Sequence, residues 1–204
     1  MTTLNGQGGR ANQKARTRAA LVDACGDLVR SGAEVTMPEV ARRAMVSEAT
    51  AYRYFPDLIS LLQEALEGTW PDPADALAPI AQSRYPPIRV AFACEYLLTG
   101  VHAYQGAVRA MIAHTITAPA TARTRPGIRF GLIDYALAPF AEQAAPAGGP
   151  ALAPGAMARL KQDLAIVVSA EAFFTLTDLC GLAPEDAIAS AARTAATLTL
   201  AAFA

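Results

Sequence analysis

Apolar positions along this chain recur every three or four residues and never sustain a strict alternation, so the pattern predicts helices throughout. The first periodic segment covers residues 14–30, with Leu21, Ala24, Cys25, Leu28 and Val29 on one face. Ser31-Gly32 ends it, and Gly32 can take the left-handed conformation of a helix cap. A second helix starts at Thr36-Met-Pro-Glu39 and ends near Ala44. There Thr36 can accept from a first-turn amide while Glu39 reaches back, the reciprocal arrangement of a capping box. Pro38 sits in the first turn, where a missing N–H costs little. Ser47 is a new N-cap a few residues later, and the third helix runs to about Phe55. Pro56 stops it, and Asp57 caps a fourth helix with Leu58, Leu61, Leu62, Ala65 and Leu66 on its apolar side.

Beyond these four elements the punctuation is glycine and proline. Residues 68–73 form a loop that divides the chain into two expected domains, 1–67 and 68–204. Helices are expected over 74–82, over 87–117 with an interruption near Gly100–Gly106, over 127–143 with a bend at Pro139, over 156–180, and over 184–203. Loops are expected at 119–127 and in the Ala/Pro/Gly-rich 144–155. The fold class is therefore all-α.

The chain has 204 residues, enough to bury a sizeable core, and is 53% hydrophobic and 17% charged, a globular rather than disordered balance. The net charge of -1 decides nothing about nucleic acid, but its distribution does: Arg10, Lys14, Arg16 and Arg18 precede the first acid, Asp23, as a short basic arm. Three dispersed cysteines, Cys25, Cys94 and Cys180, make neither a disulfide framework nor a zinc signature. No run has the length of a membrane span and the amino end has no signal-peptide core, so a cytoplasmic setting is expected. No metal, cofactor or nucleophile–base pair is indicated. Glu95, His102 and Arg109 are seven apart but would share a face only on one unbroken helix.

Two short helices joined by the tight turn Met45-Val-Ser47 form a helix-turn-helix candidate. Ala41 is small where the helices cross, and Val40, Val46 and Ala51 supply apolar contacts. The second helix opens with small residues, as an element entering the major groove requires. Tyr52 and Tyr54 can give hydroxyls to phosphates, and Arg53 can bind a phosphate or pair with guanine. Phe55, with no polar tip, is expected to lock this helix onto the first and fourth. From spacing alone the aromatics serve equally well as the core of an ordinary bundle.

Residues 14–67 resemble the DNA-binding domain of the tetracycline-repressor (TetR) family. The resemblance lies in Arg18 through Gly32, Val35-Thr36, Glu39-Val-Ala41 and Val46-Ser47-x-x-Thr50-x-Tyr52-x-Tyr54-Phe55-Pro56. The stretches Ser169-Ala-Glu-Ala-Phe-Phe174 and Leu179 to Glu185 are similar to the last two helices of many members. Three positions depart from the family: Met45 stands at a turn position usually glycine, Ala51 replaces a larger aliphatic residue, and Leu58 replaces a phosphate-binding lysine. The resemblance implies that Thr36, Ser47, Tyr52 and Tyr54 position the protein on phosphates, and that Glu48, Ala49, Thr50 and Arg53 face bases. It implies that Lys14, Arg16 and Arg18 reach flanking phosphates or the minor groove; a solvated tail is the plain alternative.

The resemblance also implies a bacterial, ligand-responsive repressor that binds a palindromic operator in double-stranded DNA. Homodimerisation would run through the last two helices, and a small apolar or amphipathic effector would bind the central region. Candidate effector contacts are Phe92, Tyr96, Tyr104, Met111, His114, Phe130, Glu171 and Thr175. The competing expectation is an all-helical small-molecule-binding protein or enzyme whose helix-turn-helix no longer binds DNA.

Overall fold

The structure, a computed structural model, describes residues 6–66, 71–117, 127–141 and 150–204. Every regular element among them is helical. The expected junction at 68–73 falls mostly outside these residues, as do most of the loops expected at 119–127 and 144–155. No helix among the described residues is long and apolar enough to cross a membrane.

The chain divides into two compact units, one holding the described residues 6–66 and 103–117, the other 71–102, 127–141 and 150–204. In the first unit, α1 (Gly6–Arg30), α2 (Met37–Arg43), α3 (Glu48–Tyr54), α4 (Leu58–Ala65) and α7 (Gln105–Thr117) share one core. Leu21, Cys25, Val40, Ala51, Phe55, Leu61 and Leu62 are among its fully buried members. The boundaries follow local chemistry. Glu39 N donates to Thr36 Oγ1 at 3.4 Å, Thr50 N to Ser47 Oγ at 3.2 Å, and Ser60 N to Asp57 Oδ1 at 2.7 Å. Each cap satisfies an amide that the helix itself cannot. The capping box is half formed, because the Glu39 carboxylate turns to Arg42 instead of Thr36 N. Gly32 has φ 69, the left-handed cap its position predicts.

Two expectations change in this unit. The basic arm is not a separate tail: residues 6–13 continue α1 toward the amino end. The expected second domain loses α7, whose Tyr104, Ala107, Ala110 and Met111 pack on the core of α1–α4. Gly106 permits this approach, since a Cβ there would overlap the Ala33 carbonyl oxygen. The break between α6 and α7 falls at Tyr104, within the interruption expected near Gly100–Gly106.

The second unit contains α5 (Pro73–Ala76), a 3-10 turn (Ala78–Ile80), α6 (Pro86–Ala103, to His102), α8 (Ile128–Leu137), a second 3-10 turn (Ala138–Phe140), α9 (Pro154–Val167), α10 (Ala170–Phe174) and α11 (Pro184–Ala202). Helix α8 packs on α5 and α9, and α11 packs on α9 and α10. Alanines 187, 191, 192 and 195 bury one face of α11. The helix expected over 156–180 is broken. Val168 leaves the helical region at ψ 67, and Ser169 caps α10 by accepting from Ala172 N at 3.0 Å. A π-helical turn, Thr175–Leu179, then completes the segment.

Arg89 organises the other side of this unit. It is 2% exposed and has no carboxylate partner among the described residues. Its guanidinium donates to the carbonyls of Ala136 (2.8 Å), Ile80 (2.9 Å), Ala81 (2.7 Å) and Tyr135 (3.2 Å). Burial lowers its pKa. The positive charge is held by carbonyl dipoles at the ends of a 3-10 turn and of α8, where helix termini carry partial negative charge.

Candidate nucleic-acid interface

Helix α2 packs on α3; Ala41 is 1% exposed and its carbonyl accepts from Val46 N at 2.9 Å, across the turn through Met45. Met45 has φ 55 and a side chain that is 91% exposed. A left-handed methionine is strained by about 1 kcal/mol or more. The turn thus keeps the geometry that glycine would take without strain, and α3 keeps its orientation on α2.

Helix α3 separates its side chains by face. Ala51 and the C-cap Phe55 point into the core. Ser47, Glu48, Ala49, Tyr52 and Arg53 are exposed, with Tyr52 at 50%. Thr50 is half-buried, and its hydroxyl lies 2.9 Å from that of Ser47. Thr36 is half-buried at the α2 cap. Tyr54 leans on the core and is half-buried, whereas Tyr52 stands clear in solvent.

The charges around this surface are largely organised. Arg18 is paired with the Glu64 carboxylate through Nη2, and its Nε donates to the same group at 2.9 Å. Its guanidinium lies 4.4 Å from the Phe55 ring centroid. Arg18 therefore clamps α1 to α4 over the core aromatic, a role its sequence neighbours could not show because Glu64 lies far along the chain. Arg30 (2.6 Å) and Arg43 (3.5 Å) share Asp27, and Arg42 pairs with Glu39. Hydrogen bonds from Arg30 and Arg43 lower the Asp27 pKa, and Arg42 does the same for Glu39. Lys14, Arg16 and Arg53 are exposed and carry no carboxylate partner among the described residues. Lys14 and Arg53 line, with Gln13 and Tyr54, an open cleft of about 380 Å³. Gln13 is a member that sequence reasoning missed, since a polar residue in an all-polar stretch carries no signal of its own.

The effector candidates are divided between the two units. Tyr104 and Met111 pack on the first unit's core, and His114 lies half-buried on α7 of that unit. Phe92 and Tyr96 are half-buried on α6, and Phe130 is exposed on α8 of the second unit. Glu171 accepts from Arg129 Nη2 at 3.1 Å, and Thr175 donates to the Glu171 carbonyl at 2.8 Å. The reason for the division is the amphipathic α7, which uses one face for Tyr104, Ala107 and Met111. Sequence reasoning undervalued His102: its Nδ1 is buried without a partner among the described residues, and its ring lies 5.9 Å from that of Phe173. Glu95 and His102 lie on α6 while Arg109 lies on α7, so the seven-residue spacing has no common helix. The described residues contain no grouping of three potential metal ligands. Burial pushes the Cys25 and Cys94 thiols up to about 12, which leaves both protonated at neutral pH.

A capped pair of short helices, a left-handed turn and an outward face of small, aromatic and basic side chains define a helix-turn-helix of a DNA-binding transcriptional regulator. Residues 29–65, from the end of α1 to the end of α4, match the family model of bacterial regulatory proteins, tetR family. The match covers the helix-turn-helix region and supports a TetR-family, DNA-binding regulator. Comparison with curated proteins and with solved structures gives no match.

Proposed function

We propose that this protein is a ligand-responsive homodimeric repressor acting on a palindromic operator in the cytoplasm. The observation that carries the reading is the division of α3: Ala51 and Phe55 inward, Glu48, Ala49, Tyr52 and Arg53 outward. An amino-terminal turn with small side chains can approach base edges, with Tyr52 on the flanking backbone. Two such units would address half-sites about 34–36 Å apart.

The dimer reading is supported by apolar side chains left in solvent on the last helices: Ile166, Leu179 (82%) and Leu200. Burial of such side chains between two copies would give a helical interface built around an isologous axis. The effector reading is supported by the unpartnered His102 Nδ1 beside Phe173, an apolar setting with one polar handle. A small amphipathic molecule there would act by favouring one of two spacings of the paired helix-turn-helix units.

A gel shift with the DNA flanking the protein's own gene tests the reading. A sequence-specific, salt-sensitive shift is expected, lost in the Tyr52→Ala plus Arg53→Ala double variant. Absence of a shift with the wild type, or an unchanged shift with the double variant, overturns it.

A further inference from the structure

We propose that Lys14 of α1 and Arg53 of α3 form a two-cation clamp for a single DNA phosphate, so that Arg53 positions the protein on the backbone instead of reading a base. The inference rests on the DNA-binding reading of the helix-turn-helix and refines it.

Three observations lead to it. First, charge is distributed unevenly among the basic residues of the first unit. Arg18, Arg30, Arg42 and Arg43 each have a carboxylate, whereas Lys14 and Arg53 meet at one cleft with none among its described lining residues. Two cations facing one space repel each other, and an anion bound between them turns that repulsion into attraction. Second, the other two lining groups suit a phosphodiester. Gln13 can donate through its amide and Tyr54 through its hydroxyl, the neutral donors that accompany basic residues on DNA backbones. The cleft of about 380 Å³ has room for a phosphate, since one water takes roughly 30 Å³ of liquid.

Third, Arg53 is badly placed to read a base. It is the penultimate residue of the seven-residue α3, about 7.5 Å along the axis from Glu48 at a rise of 1.5 Å per residue. The end that enters the groove is the amino end. The Arg53 guanidinium folds back to lie 5.7 Å from the Tyr54 ring centroid, along the wall of the cleft. Lys14 and Gln13 approach from an extended first helix that buries no apolar face over residues 11–16. That stretch of α1 contributes nothing to the core, and the clamp gives it a use.

The test measures the dependence of the binding constant on salt, using a short duplex of mixed sequence and the selected operator side by side. Each neutralised phosphate contributes about 0.9 to the slope of log K against log salt. In a shared clamp, Lys14→Gln or Arg53→Gln alone lowers the slope by less than that, because the remaining cation still meets the phosphate. The double variant lowers it by about 0.9 per bound protomer, or about 1.8 for a homodimer on two half-sites, equally on both duplexes. A loss of about 1.8 per protomer, or about 3.6 for the homodimer, would mean two separate phosphates and overturn the clamp. Loss of operator affinity in Arg53→Gln with unchanged affinity for the mixed duplex would make Arg53 a base reader and overturn it equally. If the wild type binds neither duplex at low salt, the DNA-binding reading itself fails, a result separate from either of the others.

Discussion

In the first unit most helix boundaries are set by residues within three positions of each other, while the second unit is ordered by contacts between residues far apart in the chain. Thr36, Ser47 and Asp57 each cap the helix that follows them. In the second unit Arg89 reaches Ala136, 47 residues away, and Arg129 reaches Glu171, 42 away. Lys161 on α9 pairs with Asp134 on α8 at 2.8 Å. Local order keeps the short α2 and α3 in register for a task set by geometry.

The sharpest way to break this contrast is Arg89→Met. Methionine keeps much of the apolar volume but leaves the carbonyls of Ala81, Tyr135 and Ala136 without this donor, while Ile80 keeps the Ser83 amide. Each buried polar group left unpaired costs about 1–3 kcal/mol, so a loss of about 3 kcal/mol or more is expected. Hydrogen exchange reads it directly: amides of α6 and α8 should lose protection while those of α2 and α3 keep theirs. Equal loss in both units would mean that they do not unfold separately.

Next comes Gly106→Ala in the first unit. The new methyl meets backbone, the Ala33 carbonyl, which cannot swing aside as a flexible side chain would. Overpacking of this kind costs about 1–3 kcal/mol. The denaturation midpoint should fall, with α7 losing protection ahead of α1. A neutral substitution would show that α7 is less firmly seated on the core than its buried Ala107 implies.

The two serine caps compare the units on equal chemistry. Ser169 is 1% exposed, donates to the Ile166 carbonyl at 2.7 Å and accepts from Ala172 N. Ser47 caps α3 in the open. Water can replace Ser47 but not Ser169, so Ser169→Ala should cost about 2 kcal/mol and Ser47→Ala about 0.5–1 kcal/mol. Chemical denaturation of the two variants checks the order, and a larger loss at Ser47 would reverse the argument.

These cases also explain what could be read from the sequence. The four amino-terminal helices were legible because caps, Gly32 and Pro56 punctuate them within a few residues. The outward Tyr52 and inward Phe55 followed from one having a polar tip and the other not. The contact of Tyr54 with the core was not legible, because it depends on α1, far away in sequence. The pairing of Arg18 was hidden for the same reason, its partner being Glu64. The break at Val168 was hidden within an apolar run without glycine or proline, although Ser169 and Glu171 carry the signature of a helix start. The Arg89 clamp had no sequence signal at all, since its acceptors are backbone carbonyls.

The smallest effects separate backbone strain from side-chain contact. Gly32 and Gly181 both have φ 69, one in each unit, and a Cβ at either would meet open space. Alanine at each should therefore cost about 1 kcal/mol from the left-handed backbone alone, with no difference between units. Met45 is the reverse experiment. Its φ of 55 is already strained and its side chain is almost wholly in solvent. Met45→Gly should relieve about 1–2 kcal/mol of strain but give back about 0.4–1 kcal/mol through the freer unfolded chain. A net gain of about 0.5–1 kcal/mol is expected, as a higher denaturation midpoint at an unchanged slope. If Met45→Gly instead loses stability while Gly32→Ala behaves as expected, the methionine side chain must make a contact that offsets its backbone. The helix-turn-helix would then hold its turn by packing, as the second unit holds its helices, and the contrast between the two units would narrow at the element that carries the function.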